Sequence, residues 1–160
     1  MLFRSVSPLD VQTTLEHCEQ DNARAAEVLA GFDVGLRTDV TGFGLLGHLQ
    51  TSLPLGLGAS INARTLPVLP GALLAYSAGV RPTILTANQK VTRPMLREEP
   101  APEVSALLHD PQTSGGLLVS VRSEQAEAAN AALIHAGYSH SCIIGAITND
   151  GRVEVSGSWA

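Results

Sequence analysis

Apolar positions recur along this chain at two periods, near 3.6 and near 2, and the switching between them predicts helices and strands in turn. After Ser7-Pro8, a helix start with proline in its first turn, Val11, Leu15 and Cys18 share one helical face. Asp21-Asn22 can restart the chain. Ala25, Ala26, Val28 and Leu29 then carry the helical period to Gly31, a natural C-cap. Residues 32–38 read as a short strand and 45–53 as a helix, ended by Pro54, Gly56 and Gly58. Residues 59–63 alternate like a strand, and 72–78 form a helix closed by Gly79. Residues 80–102 hold four of the nine prolines and little apolar period, which predicts a long surface loop. A short helix over 103–108 is stopped by Asp110-Pro111, and the short, β-branched run 117–121 reads as a core strand. Ser123 caps an alanine-rich helix over 124–136, stopped by Gly137. Residues 142–148 and 152–155 read as paired strands joined by Asn149-Asp150-Gly151, a hairpin signal. Strands alternating with helices give an α/β (α+β) domain, a mixed β-sheet layered with helices, with roughly four to six strands.

Two stretches between these elements carry candidate chemistry. The first runs from Thr38 to Leu49: Asp39, then Thr41-Gly42-Phe43-Gly44, then an apolar run at helical spacing. Thr41 can cap the helix that follows. Gly42 and Gly44 allow positive φ and leave their amides uncovered. Amides converging at a helix start attract phosphate, and Asp39 could hold Mg²⁺ beside it, because Mg²⁺ commonly takes one or two protein carboxylates and fills the rest of its shell with water and phosphate oxygens. The same residues also read as a plain glycine turn from strand to helix, with Asp39 a solvated turn acid. His48 reads either as a surface or hydrogen-bonded helix residue or as a ligand.

The second stretch, Asp110-Pro111-Gln112-Thr113-Ser114-Gly115-Gly116, repeats the grammar of an acid, hydroxyls and glycines before an apolar strand. Two such loops in one small domain could face a shared polyanion. Asp110 either touches that ligand or bonds its own turn, as turn aspartates often do.

Together these stretches resemble selenophosphate synthetase (selenide, water dikinase), in its C-terminal domain. The wider superfamily includes aminoimidazole ribonucleotide synthetase, formylglycinamidine ribonucleotide synthetase, thiamine-phosphate kinase and the hydrogenase-maturation dehydratase, which carry different wording at both loops. The resemblance runs from about Asn22 to the last strand. It implies a layered domain like the C-terminal domain of aminoimidazole ribonucleotide synthetase, distantly ferredoxin-like. It implies a parent enzyme that converts ATP, selenide and water to selenophosphate, AMP and phosphate, and that is a homodimer. In that family an N-terminal domain carries the nucleophilic cysteine or selenocysteine, a catalytic lysine and most of the Mg²⁺-binding acids. The expectation is therefore that no catalytic residue lies here, that the chain is an excised C-terminal domain with its N-terminal domain as partner, and that it is inactive alone. Asp39 matches the acid that joins the Mg²⁺ shell from this side. Thr41, Gly42, Phe43, Gly44, Asp110, Thr113, Ser114, Gly115 and Gly116 would line the ATP and phosphate cleft. Asn22 and Asn88 match family asparagines, but Pro82-Thr83-Ile84-Leu85 lacks the paired glycines of the family's Pro-Gly-Gly-Thr. Another ATP-using superfamily member of the purine or thiamine pathway, or a binding module without chemistry, are the alternatives.

Composition narrows this picture. With 160 residues, 44% hydrophobic and 16% charged, the chain suits one globular domain, its core over about 22–156 behind a helical lead-in over 1–21. A net charge of −5 argues against nucleic-acid or membrane-surface binding, which favours a basic face. There is one lysine, Lys90, and no Walker loop, so a complete triphosphate grip is not written in this chain. Cys18 and Cys142 read as small buried hydrophobes, not as a disulfide or metal pair. No secretory signal or membrane span is visible, which makes the cytoplasm the expected setting.

Overall fold

The computed structural model of the protein describes residues 7–159. Helix α1 (Pro8–Glu19) opens on a capping box. The Asp10 N–H donates to Ser7 Oγ at 3.1 Å, and the Ser7 N–H donates back to the Asp10 carboxylate at 3.3 Å. Asp21 then accepts the Ala23 N–H at 2.8 Å, so a second helix, α2 (Ala23–Leu29), begins. Residues 8–29 thus form two helices. The face expected of Val11, Leu15 and Cys18 meets little core: α1 buries no residue, and Leu15 is 59% exposed. Helix α2 buries Ala25 and Leu29 and packs on α7 (Ala126–His135). Helix α7 starts later than the pattern predicts. Ser123–Gln125 form a 3₁₀ turn, and the Ser123 hydroxyl donates to Glu124 instead of capping the helix.

The strands form two sheets, not one. Strand β1 (Val34–Asp39) pairs antiparallel with β3 (Leu117–Val121), in a register that sets Asp39 opposite Leu117. Because this ribbon has only two strands, every residue of β3 is half-buried, where a core strand was predicted. The second sheet is mixed and centres on β2 (Gly58–Asn62), with β4 (Gly145–Thr148) antiparallel on one side and β5 (Val153–Ser156) parallel on the other. The two C-terminal strands therefore do not pair with each other. Their turn carries the chain across the end of β2. Only glycine suits position 58 beneath that crossing, since a Cβ there would lie 2.0 Å from the Arg152 carbonyl oxygen. Asp150 fixes the turn by accepting from Thr148 Oγ1 at 2.8 Å and the Arg152 N–H at 3.2 Å, and it pairs with Arg97.

Helices α3 (Gly44–Ser52), α4 (Ala72–Ser77), α5 (Leu85–Thr92) and α6 (Pro102–Leu108) complete the layers. Leu46, Leu49, Val104 and Leu108 of α3 and α6 meet Leu36 of β1, Ile61 of β2 and Val153 of β5 in one core. Tyr76, Leu85 and Ala106 form a smaller cluster beside it. Helix α5 corrects the prediction of a long surface loop over 80–102. Its buried positions, Leu85, Asn88 and Thr92, have helical spacing, but two of the three are polar and so escape an apolar period. Cys18 and Cys142 are free thiols and only half-buried. Among the described residues no helix is long and apolar enough to cross a membrane.

Candidate functional site

Antiparallel pairing decides where the two motif loops meet. The first loop leaves β1 after Asp39, and the second enters β3 at Leu117, so both lie at the same end of the ribbon. The ladder continues into them. The Val40 N–H donates to Gly116 O at 3.0 Å, and the Gln112 N–H donates to Thr41 O at 3.1 Å. That same Thr41 oxygen accepts the Gly44 N–H at 3.0 Å and closes the turn at 41–44. Contact here leaves no room for side chains. A Cβ on Gly115 would lie 2.0 Å from Val40 O. Gly44 has φ +68°, and a Cβ on it would lie 2.6 Å from the His109 carbonyl carbon. Gly42 has neither constraint: its φ is not positive and a Cβ there would meet nothing.

Thr41 does not cap α3, contrary to the sequence prediction. The N-cap position belongs to Phe43, with no side-chain cap. Thr41 is committed instead to His48, one turn into the helix. Its N–H donates to His48 Nε2 at 3.0 Å, and its Oγ1 lies 3.1 Å from the same nitrogen. A ring nitrogen that accepts an amide proton carries none itself, so the proton of the neutral ring sits on Nδ1, 3.4 Å from Thr38 Oγ1. His48 is buried and braces the loop from behind. With the Thr41 and Gly44 amides spent internally, those of Gly42 and Phe43 are the ones in this turn with no acceptor among the described residues.

The two motif acids part company. Asp39 is exposed, and its carboxylate joins no ion pair or hydrogen bond among the described residues. Asp110 is half-buried and accepts the Tyr76 hydroxyl at 2.8 Å; the same hydroxyl lies 3.2 Å from Ala106 O. Burial pushes the Asp110 carboxyl above its ordinary range, against the opposing pull of the Tyr76 bond. The Tyr76 hydroxyl is raised in turn, first by burial and then by Asp110, with Arg81 over its ring at 4.7 Å opposing. Asp110 thus anchors α4 to the second loop. Thr113, Ser114 and Gly116 are exposed on the outside of that loop, as Phe43 is on the first, at 60%.

Three further residues hold the loops from beneath, and the apolar pattern points to none of them. Asn88 donates through Nδ2 to Gly42 O at 3.0 Å and to His109 O at 3.1 Å. His109 is fully buried. Its Nδ1 lies 2.5 Å from Ser105 O and its Nε2 lies 2.6 Å from Thr92 Oγ1. Burial pushes this imidazole below its ordinary range, although the Ser105 bond opposes the shift. Asn22, at the head of α2, donates to Gly115 O at 3.2 Å. Sequence singled out Asn22 and Asn88 through the family resemblance alone. The signal for His109 was its place at the end of α6, just before Asp110.

Mg²⁺ fits one side of this arrangement. An exposed, unpaired carboxylate beside two uncommitted amides suits a hydrated ion that also takes phosphate oxygens. Of the two motif acids, Asp39 meets that description, since Asp110 is turned to Tyr76. No three His, Cys, Asp or Glu residues gather into a metal site among the described residues. The arrangement offers one unpaired carboxylate, two uncommitted amides and a hydroxyl-bearing rim at one end of the ribbon.

Residues 5–158 match the family described as AIR synthase related protein, C-terminal domain. Among curated relatives, Selenide, water dikinase 2 of Peptoclostridium acidaminophilum is 36% identical over 128 residues, which is 79% of this chain and 37% of the relative. Selenide, water dikinase of Carboxydothermus hydrogenoformans is 41% identical over 115 residues, 71% of this chain and 34% of the relative. That of Pelobacter propionicus is 37% identical over 133 residues, 81% of this chain and 38% of the relative. The matched part of the chain covers between 34% and 38% of the length of these relatives.

Proposed function

The chain belongs to the AIR synthase related protein, C-terminal domain, family, and on that premise we propose that it forms one wall of the Mg²⁺-ATP cleft of a selenide, water dikinase. The parent reaction turns ATP, selenide and water into selenophosphate, AMP and phosphate. Asp39 gives the ion a carboxylate from this side. The amides of Gly42 and Phe43 turn toward phosphate oxygens at no reorganisation cost. Thr113 and Ser114 line the opposite lip, and Gly115 and Gly116 bring that lip against the first loop. When bound, Mg²⁺ offsets the clustered charge of the triphosphate. The nucleophile, the lysine and the remaining metal ligands belong to a second domain of the parent, and the exposed ring of Phe43 faces it.

The observation that carries this reading is the meeting of both loops at one end of the β1–β3 ribbon, with Asp39 left unpaired at its mouth. Relatives roughly twice as long, all named selenide, water dikinase, support it. Asp39→Asn in the full-length enzyme tests it. Selenide-dependent AMP formation is expected to fall sharply, with no change in urea midpoint, because an exposed unpaired carboxylate contributes little to folding. Unchanged turnover at sub-saturating Mg²⁺ removes Asp39 from the metal site. Calorimetry of Mg²⁺-ATP against this chain alone is expected to show no strong binding. Tight binding would mean that the two loops form a complete site by themselves.

A further inference from the structure

The two loops are tied at three successive levels. Nearest the ribbon, residue 40 bonds residue 116, and residue 41 bonds residue 112, backbone to backbone. At the third level, Gly42 and His109 both present carbonyl oxygens, which cannot bond each other. The carboxamide of Asn88 stands between them and gives one proton to each, at 3.0 Å and 3.1 Å. Asn88 is 6% exposed. Its helix is itself fastened to the second loop's approach: Thr92 meets His109 Nε2 at 2.6 Å, and Gln89 donates to Ser105 Oγ at 3.1 Å. A buried carboxamide is tolerated only where its donors are satisfied, and here two different loops satisfy them.

The geometry points to Asn88 as a positioning residue: its carboxamide sets the separation of the two glycine loops, and through Gly42 it aims the first-loop amides and Asp39 at Mg²⁺-ATP. This deepens the function proposed above and rests on it. It gives α5 a purpose that touches neither metal nor nucleotide. Asn88→Asp keeps the size and replaces a double donor with an acceptor facing two acceptors. Asn88→Ser stays neutral and loses the reach.

The test uses the full-length enzyme and reads two quantities. The first is amide hydrogen exchange, independent of activity. In both variants, exchange is expected to rise at the bonded loop amides of Thr41, Gly44, His109, Asp110 and Gln112, while β2, β4 and β5 keep wild-type protection. The second is steady-state kinetics. The KM for Mg²⁺-ATP is expected to rise about tenfold, as when a supporting residue behind a metal ligand is removed, with the KM for selenide unchanged. A merely destabilised enzyme would instead lose kcat with both KM values intact, and that result overturns the positioning role. Unchanged exchange at both loops overturns the clamp itself. If the wild-type enzyme shows no selenide-dependent ATP use, the functional reading fails, and the exchange data still decide whether Asn88 holds the loops. Should Asn88→Asp not fold, Asn88→Ser alone carries both measurements.

Discussion

Gly42 and Gly44 sit two residues apart in one motif, and the structure assigns them opposite demands. Gly44 takes φ +68°, a region that costs a residue with a Cβ about 1–2 kcal/mol. The added Cβ would also lie 2.6 Å from His109 C, 2.8 Å from its Cα and 2.9 Å from Leu108 O. All three are backbone atoms at the end of α6, so none can swing aside as a side-chain tip would. Overpacking of that kind costs about 1–3 kcal/mol. Gly44→Ala is therefore expected to lose about 2–5 kcal/mol, a large part of the roughly 5–15 kcal/mol that holds a domain folded. Gly42→Ala meets no atom and needs no positive φ. It is expected to leave stability unchanged, or to raise it by up to about 1 kcal/mol through the unfolded chain.

Urea unfolding followed by circular dichroism measures both. With an m-value of about 2 kcal/mol/M, Gly44→Ala should lower the midpoint by roughly 1–2.5 M, and Gly42→Ala should leave it in place. The pair also separates folding from ligand contact. If the amide of residue 42 approaches phosphate, Gly42→Ala weakens Mg²⁺-ATP in the full-length enzyme while the fold stays intact. A Gly44→Ala midpoint within error of wild type would refute the close packing of the first loop on His109, and with it the account of how the loops are joined.

Two further outcomes follow from charge and crossing geometry. His109 holds its proton less readily folded than unfolded, so its contribution to stability is present above about pH 6.5 and is lost as the pH falls below it. Asp110 holds its proton more readily when folded, so its penalty at neutral pH is relieved on acidification and opposes that loss. Asp110→Asn keeps an acceptor for Tyr76 and removes the relief. Its urea midpoint is expected to fall more steeply than wild type from about pH 6.5 toward pH 4.5, and parallel profiles would contradict the assignment. Gly58→Ala, with its Cβ 2.0 Å from Arg152 O, is expected to cost about 1–3 kcal/mol. Exchange at residues 109–116 should stay at the wild-type rate, because the strand crossing and the loops lie in different sheets.

What could be read from the chain, and what could not, divides along a physical line. Local signals served well where one element answers to its own residues: the helix start at Ser7-Pro8, the glycine after α4 and the acid-glycine loops on either side of the ribbon. The strand order could not be read that way. Asn149-Asp150-Gly151 is a real turn, but nothing within it says that β2 will enter between the strands it joins; that is decided by burial of Ala59 and Ile61 at the centre of the sheet. The motif alone ranks Asp39 with Asp110, and only Tyr76, from a helix 34 residues away, separates them. The most instructive failure is α5. An apolar period marks helices that fill a core. A helix whose task is to hold loop carbonyls must bury donors, and so Asn88 and Thr92 occupy positions where the period looks for leucine. Such helices read as loops because the positions they bury are polar. In this chain the stretch with the weakest apolar signal, 80–102, contains the residue that joins both motif loops, so a proline-rich gap beside two glycine motifs is a sensible place to look for the brace that aligns them.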